Sequence, residues 1–271
     1  MKKFSYDQTT VFQSAMFQTT STVVELEDLI LVVDPNSLPE EISEIRAHVD
    51  AVKGAKPVYV LFTHGDYDHI IGYNAFSDAL TIGSAEMRDH PKKDFKVGLI
   101  REFDAAYYIT REYEVEFPHL DYVIEQDGEQ LTIGSTVLTF YKAPGHTRDS
   151  LFTIVGSLGL LLAGDYLSDF ELPFMNDSSK AYEETMRKAE RILDEHGIRL
   201  LVPGHGVPTE DRGEMAKRIA MADSYLQRLK EAVLREDDAS LKEMEREFRF
   251  YSPMTVESHE ENIKIMRREY Q

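Results

Sequence analysis

A chain of 271 residues, with 42% hydrophobic and 29% charged side chains, holds enough material for one large domain and a sizeable core. A formal net charge of −19 argues against non-specific binding to nucleic acid or an anionic membrane, and the absence of cysteine excludes disulfides, thiolate nucleophiles and cysteine-bound metals. No apolar run approaches the length of a membrane span, and Met1-Lys2-Lys3-Phe4-Ser5-Tyr6 lacks the apolar stretch of a signal peptide, so a cytoplasmic location is expected.

Residues 1–33 read as strands. Ser21 to Leu26 and Leu29 to Val33 flank a turn at Glu27-Asp28, and Asp34-Pro35-Asn36 stops the second run. Leu38 to Val52 reads as a helix, with Pro39, Glu40 and Glu41 in its first turn and Ile42, Ile45 and Val49 at helical spacing. A buried strand, Val58 to Phe62, then ends in Thr63-His64-Gly65-Asp66-Tyr67-Asp68-His69. His64, Asp66, Asp68 and His69 put metal-capable imidazole and carboxylate groups at one strand tip, a concentration that packing gives no reason for.

Leu80 to Ser84 reads as a short strand. From about Met87 to Phe117 the pattern turns irregular and aromatic, fitting equally a lid over a pocket or a helical excursion packed on the core. Strands return over 120–142, and Val137 to Tyr141 runs into Pro144-Gly145-His146-Thr147. Leu160 to Ala163 runs into Gly164-Asp165-Tyr166, and Ile198 to Val202 into Pro203-Gly204-His205-Gly206. Four strands therefore end in small or turn residues followed by His or Asp, as though converging on one edge of a core. Helices are expected over Lys180–His196 and Pro208 to about Arg235. Two short ones should follow, opened by capping boxes at Ser240/Glu243 and Ser258/Glu261. These boundaries give a domain over 1–235 and a helical C-terminal extension over 236–271 packed on it.

The motifs at 63–69, 144–147, 163–165 and 203–206, in that order and strand setting, resemble the metallo-β-lactamase superfamily over about residues 10–210. The resemblance implies an α/β fold, the αββα four-layer sandwich of two mixed sheets flanked by helices. It also implies a dinuclear metal site. His64, His146 and residue 66 would hold the first ion, Asp68, His69 and His205 the second, and Asp165 would bridge them. The activity implied is that of a metal-dependent hydrolase, whose metal-bridged hydroxide attacks an ester, lactone, thioester or phosphoester of a small molecule. Asp68 would orient that hydroxide and take its proton.

The departure is Asp66, where most members carry histidine. Two divalent ions, a hydroxide and three aspartates sum to zero, against +1 with histidine at 66. Zinc is the first expectation for both ions, and the added carboxylate admits Mn or Fe. Tyr166, beside Asp165, is a candidate to donate a hydrogen bond to substrate, and Asp169 and Glu171 read as an exposed acidic loop. The expected partners are a small-molecule substrate and, at most, a second copy of the chain in a homodimer.

Two other chemistries share the resemblance. Flavodiiron oxygen or nitric oxide reductases carry an acidic residue at the position of Asp66 but need a flavin domain, for which the helical tail is too short. Nucleases related to competence DNA-uptake proteins share the His-x-Asp-x-Asp-His pattern but need a basic groove. A non-catalytic binding protein would have no use for seven ligand candidates. Of the other histidines, His48 and His196 read as solvated or helix-capping, His259 as surface, and His90 and His119 as flanking the aromatic segment.

Overall fold

The computed structural model describes all 271 residues as two mixed sheets packed face to face. The first sheet runs in chain order: β1 (Lys2–Tyr6), β2 (Thr9–Gln13), β3 (Thr20–Glu25), β4 (Ile30–Val33), β5 (Val58–Leu61), β6 (Leu80–Ser84) and β7 (Tyr122–Ile124). Its first four strands are antiparallel hairpins, and β4 to β7 are parallel. The change of direction comes where α1 (Pro39–Val52) crosses over between β4 and β5. In the second sheet the order is β12 (Leu200–Val202), β11 (Leu160–Leu162), β10 (Leu151–Val155), β9 (Thr136–Lys142) and β8 (Glu129–Ile133), with only β11 and β12 parallel.

Apolar residues on the facing sides of the sheets meet in one core. Val24, Leu31 and Leu61 come from the first sheet, and Leu138, Phe140 and Leu162 from the second. Because side chains alternate along a strand, the opposite faces need cover of their own. On the first sheet, α1, α2 (Tyr67–Ile70), α3 (Ala85–Arg88) and α4 (Lys93–Ala106) bury Ile45, Phe62, Met87 and Ile100. On the second, α5 (Ser179–Glu195), α6 (Arg212–Leu234), α7 (Asp238–Glu245) and α8 (Pro253–Tyr270) bury Phe152, Met186, Leu226 and Met266. The result is the expected αββα sandwich. Leu241, Met244, Ile265 and Met266 of the C-terminal extension share one cluster with α5 and α6, so the extension helps to form that outer layer.

Several local expectations are corrected. α6 begins at Arg212 rather than Pro208, because Thr209 is still paired with Leu201 and the Asp211 carboxylate caps the N–H groups of Gly213 and Glu214. Asp237 caps α7, and Ser252 with Thr255 forms the box that opens α8. Ser240 and Ser258 lie inside those helices, and α8 is a full 18 residues. His259 is buried: Tyr225 Oη lies 2.7 Å from its Nδ1, and its Nε2 faces the Leu241 carbonyl at 3.0 Å. His196 pairs with Tyr141 Oη at 2.8 Å, and His48 packs edge-on against Phe12. No helix is long and apolar enough to cross a membrane.

Candidate metal centre

The seven ligand candidates come together at one edge of the sandwich. His64 follows β5, Asp66 is the N-cap residue of α2, and Asp68 and His69 lie within that helix. His146, Asp165 and His205 follow β9, β11 and β12 on the second sheet. Backbone bonds stitch the two sheets together at this edge. Leu151 N–H donates to the Thr63 carbonyl, Thr20 N–H to Gly204, and Gly206 N–H to Gln18. Asp149 accepts from Gly65 N–H at 2.9 Å. Glycine precedes His205 for a steric reason: a Cβ on Gly204 would lie 2.4 Å from Asp165 Oδ1 and 2.8 Å from the Gly164 backbone.

Each imidazole is held by its Nδ1. Asp34 Oδ2 lies 3.0 Å from that of His69, the Phe174 carbonyl 2.8 Å from that of His146, and the Phe17 carbonyl 2.9 Å from that of His205. Carbonyls and carboxylates only accept, so Nδ1 carries a proton in these three. Thr63 Oγ1 donates to Asp34 Oδ2 at 2.5 Å and faces His64 Nδ1 at 3.1 Å, which completes the set. All four Nε2 atoms are thereby turned toward Asp165, at 3.0 Å for His69, 3.2 Å for His146, 3.3 Å for His205 and 3.7 Å for His64.

The donor atoms form three groups, one of His64, His69 and Asp165 that joins the other two. In one, Asp66 Oδ2 lies 3.9 Å from His64 Nε2 and 3.6 Å from His146 Nε2. In the other, Asp68 Oδ2 lies 3.6 Å from His69 Nε2 and 3.4 Å from His205 Nε2, and the two imidazole nitrogens are 3.3 Å apart. An ion bound about 2.0–2.1 Å from tetrahedral N and O ligands spaces them at about 3.3–3.4 Å, close to this set. The Nε2 atoms of His64 and His146 are buried without any hydrogen-bond partner, which is costly unless an ion takes their lone pairs. The residues therefore fit divalent metal.

The electrostatics agree. Burial raises the Asp165 carboxyl, but His205, His69, His64 and His146 outweigh it and hold the group well below the usual carboxylate range. Burial pulls His146 and His205 down, and Asp165 more than offsets this, raising each to about 10. The extra proton on such a ring is what a metal ion displaces. His64, buried beside His69, is pushed well below its ordinary value.

Two of the expected placements change. Tyr166 is buried, with its hydroxyl donating to the Ala143 carbonyl and accepting from His146 N–H, both at 2.8 Å. Both bonds go to the backbone around His146, so the hydroxyl braces the His146 loop. Glu171 is no exposed loop residue: it lies 3.8 Å from His205 Nδ1, and burial, partly offset by His205, raises its carboxyl to about 7. The aromatic segment divides its work. Phe103 and Phe117 pack on the first outer core, while Phe95, Tyr107 and Tyr108 are exposed. His119 is exposed, and His90 stacks on Phe117, whose ring lies against Gly65.

Three supporting residues gave no recognisable signal in the sequence. Asp34 read only as a strand stop, yet it fixes both His69 and Thr63. Asn262, on α8, accepts from Met175 N–H and donates to the Pro173 carbonyl, on either side of the residue that holds His146. Lys96, on α4, bonds to Asp66 Oδ1.

A sandwich of this layering, with seven His and Asp donors on its edge, defines a class of metal-binding hydrolase folds. The model of the metallo-beta-lactamase superfamily matches residues 15–224, and the chain belongs to that family. It is 28% identical over 194 residues to the Bacillus subtilis protein named "Probable metallo-hydrolase YqgX", covering 68% of this chain and 83% of that one. Among solved structures, a metallo-beta-lactamase family protein from Thermus thermophilus superposes over 98% of this chain and 91% of its own, with a TM-score of 0.63 at 17% identity. The stereoselective inverting sec-alkylsulfatase Pisa1 from Pseudomonas sp. superposes over 98% of this chain with a TM-score of 0.72 at 12% identity. The chain spans only 49% of that protein.

Proposed function

We propose that the chain is a hydrolase that works with two divalent ions, His64, Asp66 and His146 holding one, Asp68, His69 and His205 the other, and Asp165 both. The observation that carries this reading is the set of four Nε2 atoms turned on one shared carboxylate at ligand spacing. Ions held there supply a Lewis acid for the substrate's electrophilic oxygen and acidify a water. The protein's own part is orientation and proton transfer. Asp34, Thr63 and the carbonyls of Phe17 and Phe174 fix the imidazoles, as outer partners do in metal sites. Asp68, with Thr19 Oγ1 3.5 Å from its Oδ2, takes the proton of the attacking water.

The substrate is an ester, lactone, thioester or phosphoester with an apolar group. A cavity of about 250 Å³ adjoins the His205 side, lined by Phe17, Phe170, Phe174, Phe248, Phe250 and Met254. Its only charged lining groups are Glu171 and Arg249. Phe17 and Glu171, which line it, also meet His205 on its Nδ1 side, so an apolar group seated there would lie behind that imidazole, next to the cluster.

The test is chelator-stripped protein reloaded with Zn, Mn or Fe and offered lactone, thioester, phosphodiester and sulfate-ester substrates with methyl or aryl groups. Likeness to an alkylsulfatase gives the sulfate esters their place. Metal-dependent hydrolysis that favours an aryl substrate and is lost in Asp68→Ala is expected. No hydrolysis with any ion, or activity surviving Asp68→Ala, would overturn the reading.

A further inference from the structure

Lys96 is the one lysine or arginine within salt-bridge distance of the three aspartates of the cluster. It sits in the first turn of α4, and its side chain and that of Asp66 are only 15% and 16% exposed. The two oxygens of Asp66 are divided between two tasks. Oδ1 accepts from Lys96 Nζ, while Oδ2 faces the Nε2 atoms of His64 and His146. A solvated pair on the surface would be worth little. This pair is enclosed, and one end of it belongs to a ligand group.

We propose that Asp66 and Lys96 act as one unit that stands in for a histidine at the first metal position. Lys96 is then a positioning residue for that site. An ammonium on Oδ1 leaves Asp66 a single oxygen to offer, as a histidine offers a single nitrogen, and prevents a bidentate grip. It also restores the charge. Two divalent ions with three aspartates carry a net charge of +1, and Lys96 returns it to the +2 that histidine at 66 would give. The broad tolerance for hard ions that a free carboxylate would bring is thereby curbed, because hard ions prefer oxygen-rich, multidentate sites.

This inference rests on the two-ion reading above, and metal content separates the two. Wild type, Lys96→Met, Lys96→Arg, Asp66→His and the double variant Asp66→His/Lys96→Met are dialysed against equal Zn and Mn, and bound ions are counted per chain. Wild type is expected to hold two ions and Lys96→Met to shift its Zn-to-Mn ratio toward Mn by about tenfold, with Lys96→Arg close to wild type. Asp66→His alone strands an ammonium beside the ions and is expected to lose the first-position metal, which the double variant regains. Unfolding midpoints of the metal-free forms should stay together, since the pair acts on the ion. Two ions in wild type with an unchanged ratio in Lys96→Met would overturn the pair alone. So would full metal binding by Asp66→His. Wild type that binds no ion would overturn both readings.

Discussion

The two halves of the cluster are built from different parts of the chain. On the Asp68, His69 and His205 side, support comes from within the first sheet and its loops: Asp34 after β4, and Thr19 and the Phe17 carbonyl before β3. On the Asp66 and His146 side, support comes from the helices. Lys96 reaches in from α4, and the Phe174 loop is pinned by Asn262 from α8. The strand-supported half is anchored by groups from the loops at the sheet edge, whereas the helix-supported half depends on side chains that arrive from the outer layers. Substitutions should therefore affect one half before the other, and the partner shared by both should affect each equally.

Asp165→Ala is the largest expected change. It removes the carboxylate that faces all four imidazoles, and stable binding should be lost at both positions, read as metal content after dialysis. Gly204→Ala comes next, because its Cβ would overlap Asp165 Oδ1 and the Gly164 backbone. Loss of metal and about 2–4 kcal/mol of stability are expected in a denaturant titration. Asp34→Ala should weaken the His69 half most, by about 10–100-fold in metal affinity, and the His64 half less, through the Thr63 hydroxyl that Asp34 also holds. It also strands Thr63 N–H, at a cost of about 1–3 kcal/mol.

Asn262→Leu should give the converse result. It loosens the loop that holds His146, so the His146 half should release its ion first, and the measured order of release by a chelator checks the contrast. Smallest is Phe250→Ala, which trims the exposed wall of the apolar cavity. It should raise KM for an aryl substrate by about tenfold, roughly 1.4 kcal/mol, without changing metal content.

What could be read in the sequence follows the same division. The strand ends announce themselves, because an apolar run stopped by Gly or Pro and followed by His or Asp is a local pattern, and β5, β9, β11 and β12 each carry it. The layered fold was legible through those motifs and their order. The supporting groups were not, since their meaning lies in contacts between distant residues. Asp34 meets His69 across 35 positions, Lys96 meets Asp66 across 30, and Asn262 meets Met175 across 87. Burial misled at three positions. Glu171 and His259 have polar side chains in charged stretches and read as solvated, yet one sits against His205 and the other is sealed between α6 and α7. Tyr166 stood next to a ligand in the chain, but its hydroxyl goes to the backbone on the far side.

The central claim is that these seven side chains hold two ions that hydrolysis requires. Its most direct test is to count divalent ions per chain in purified wild type and to follow hydrolysis of the best panel substrate through chelation and reloading. Two ions are expected, with activity abolished when both are stripped and restored on reloading. A chain that retains none, or hydrolysis indifferent to the chelator, would contradict it.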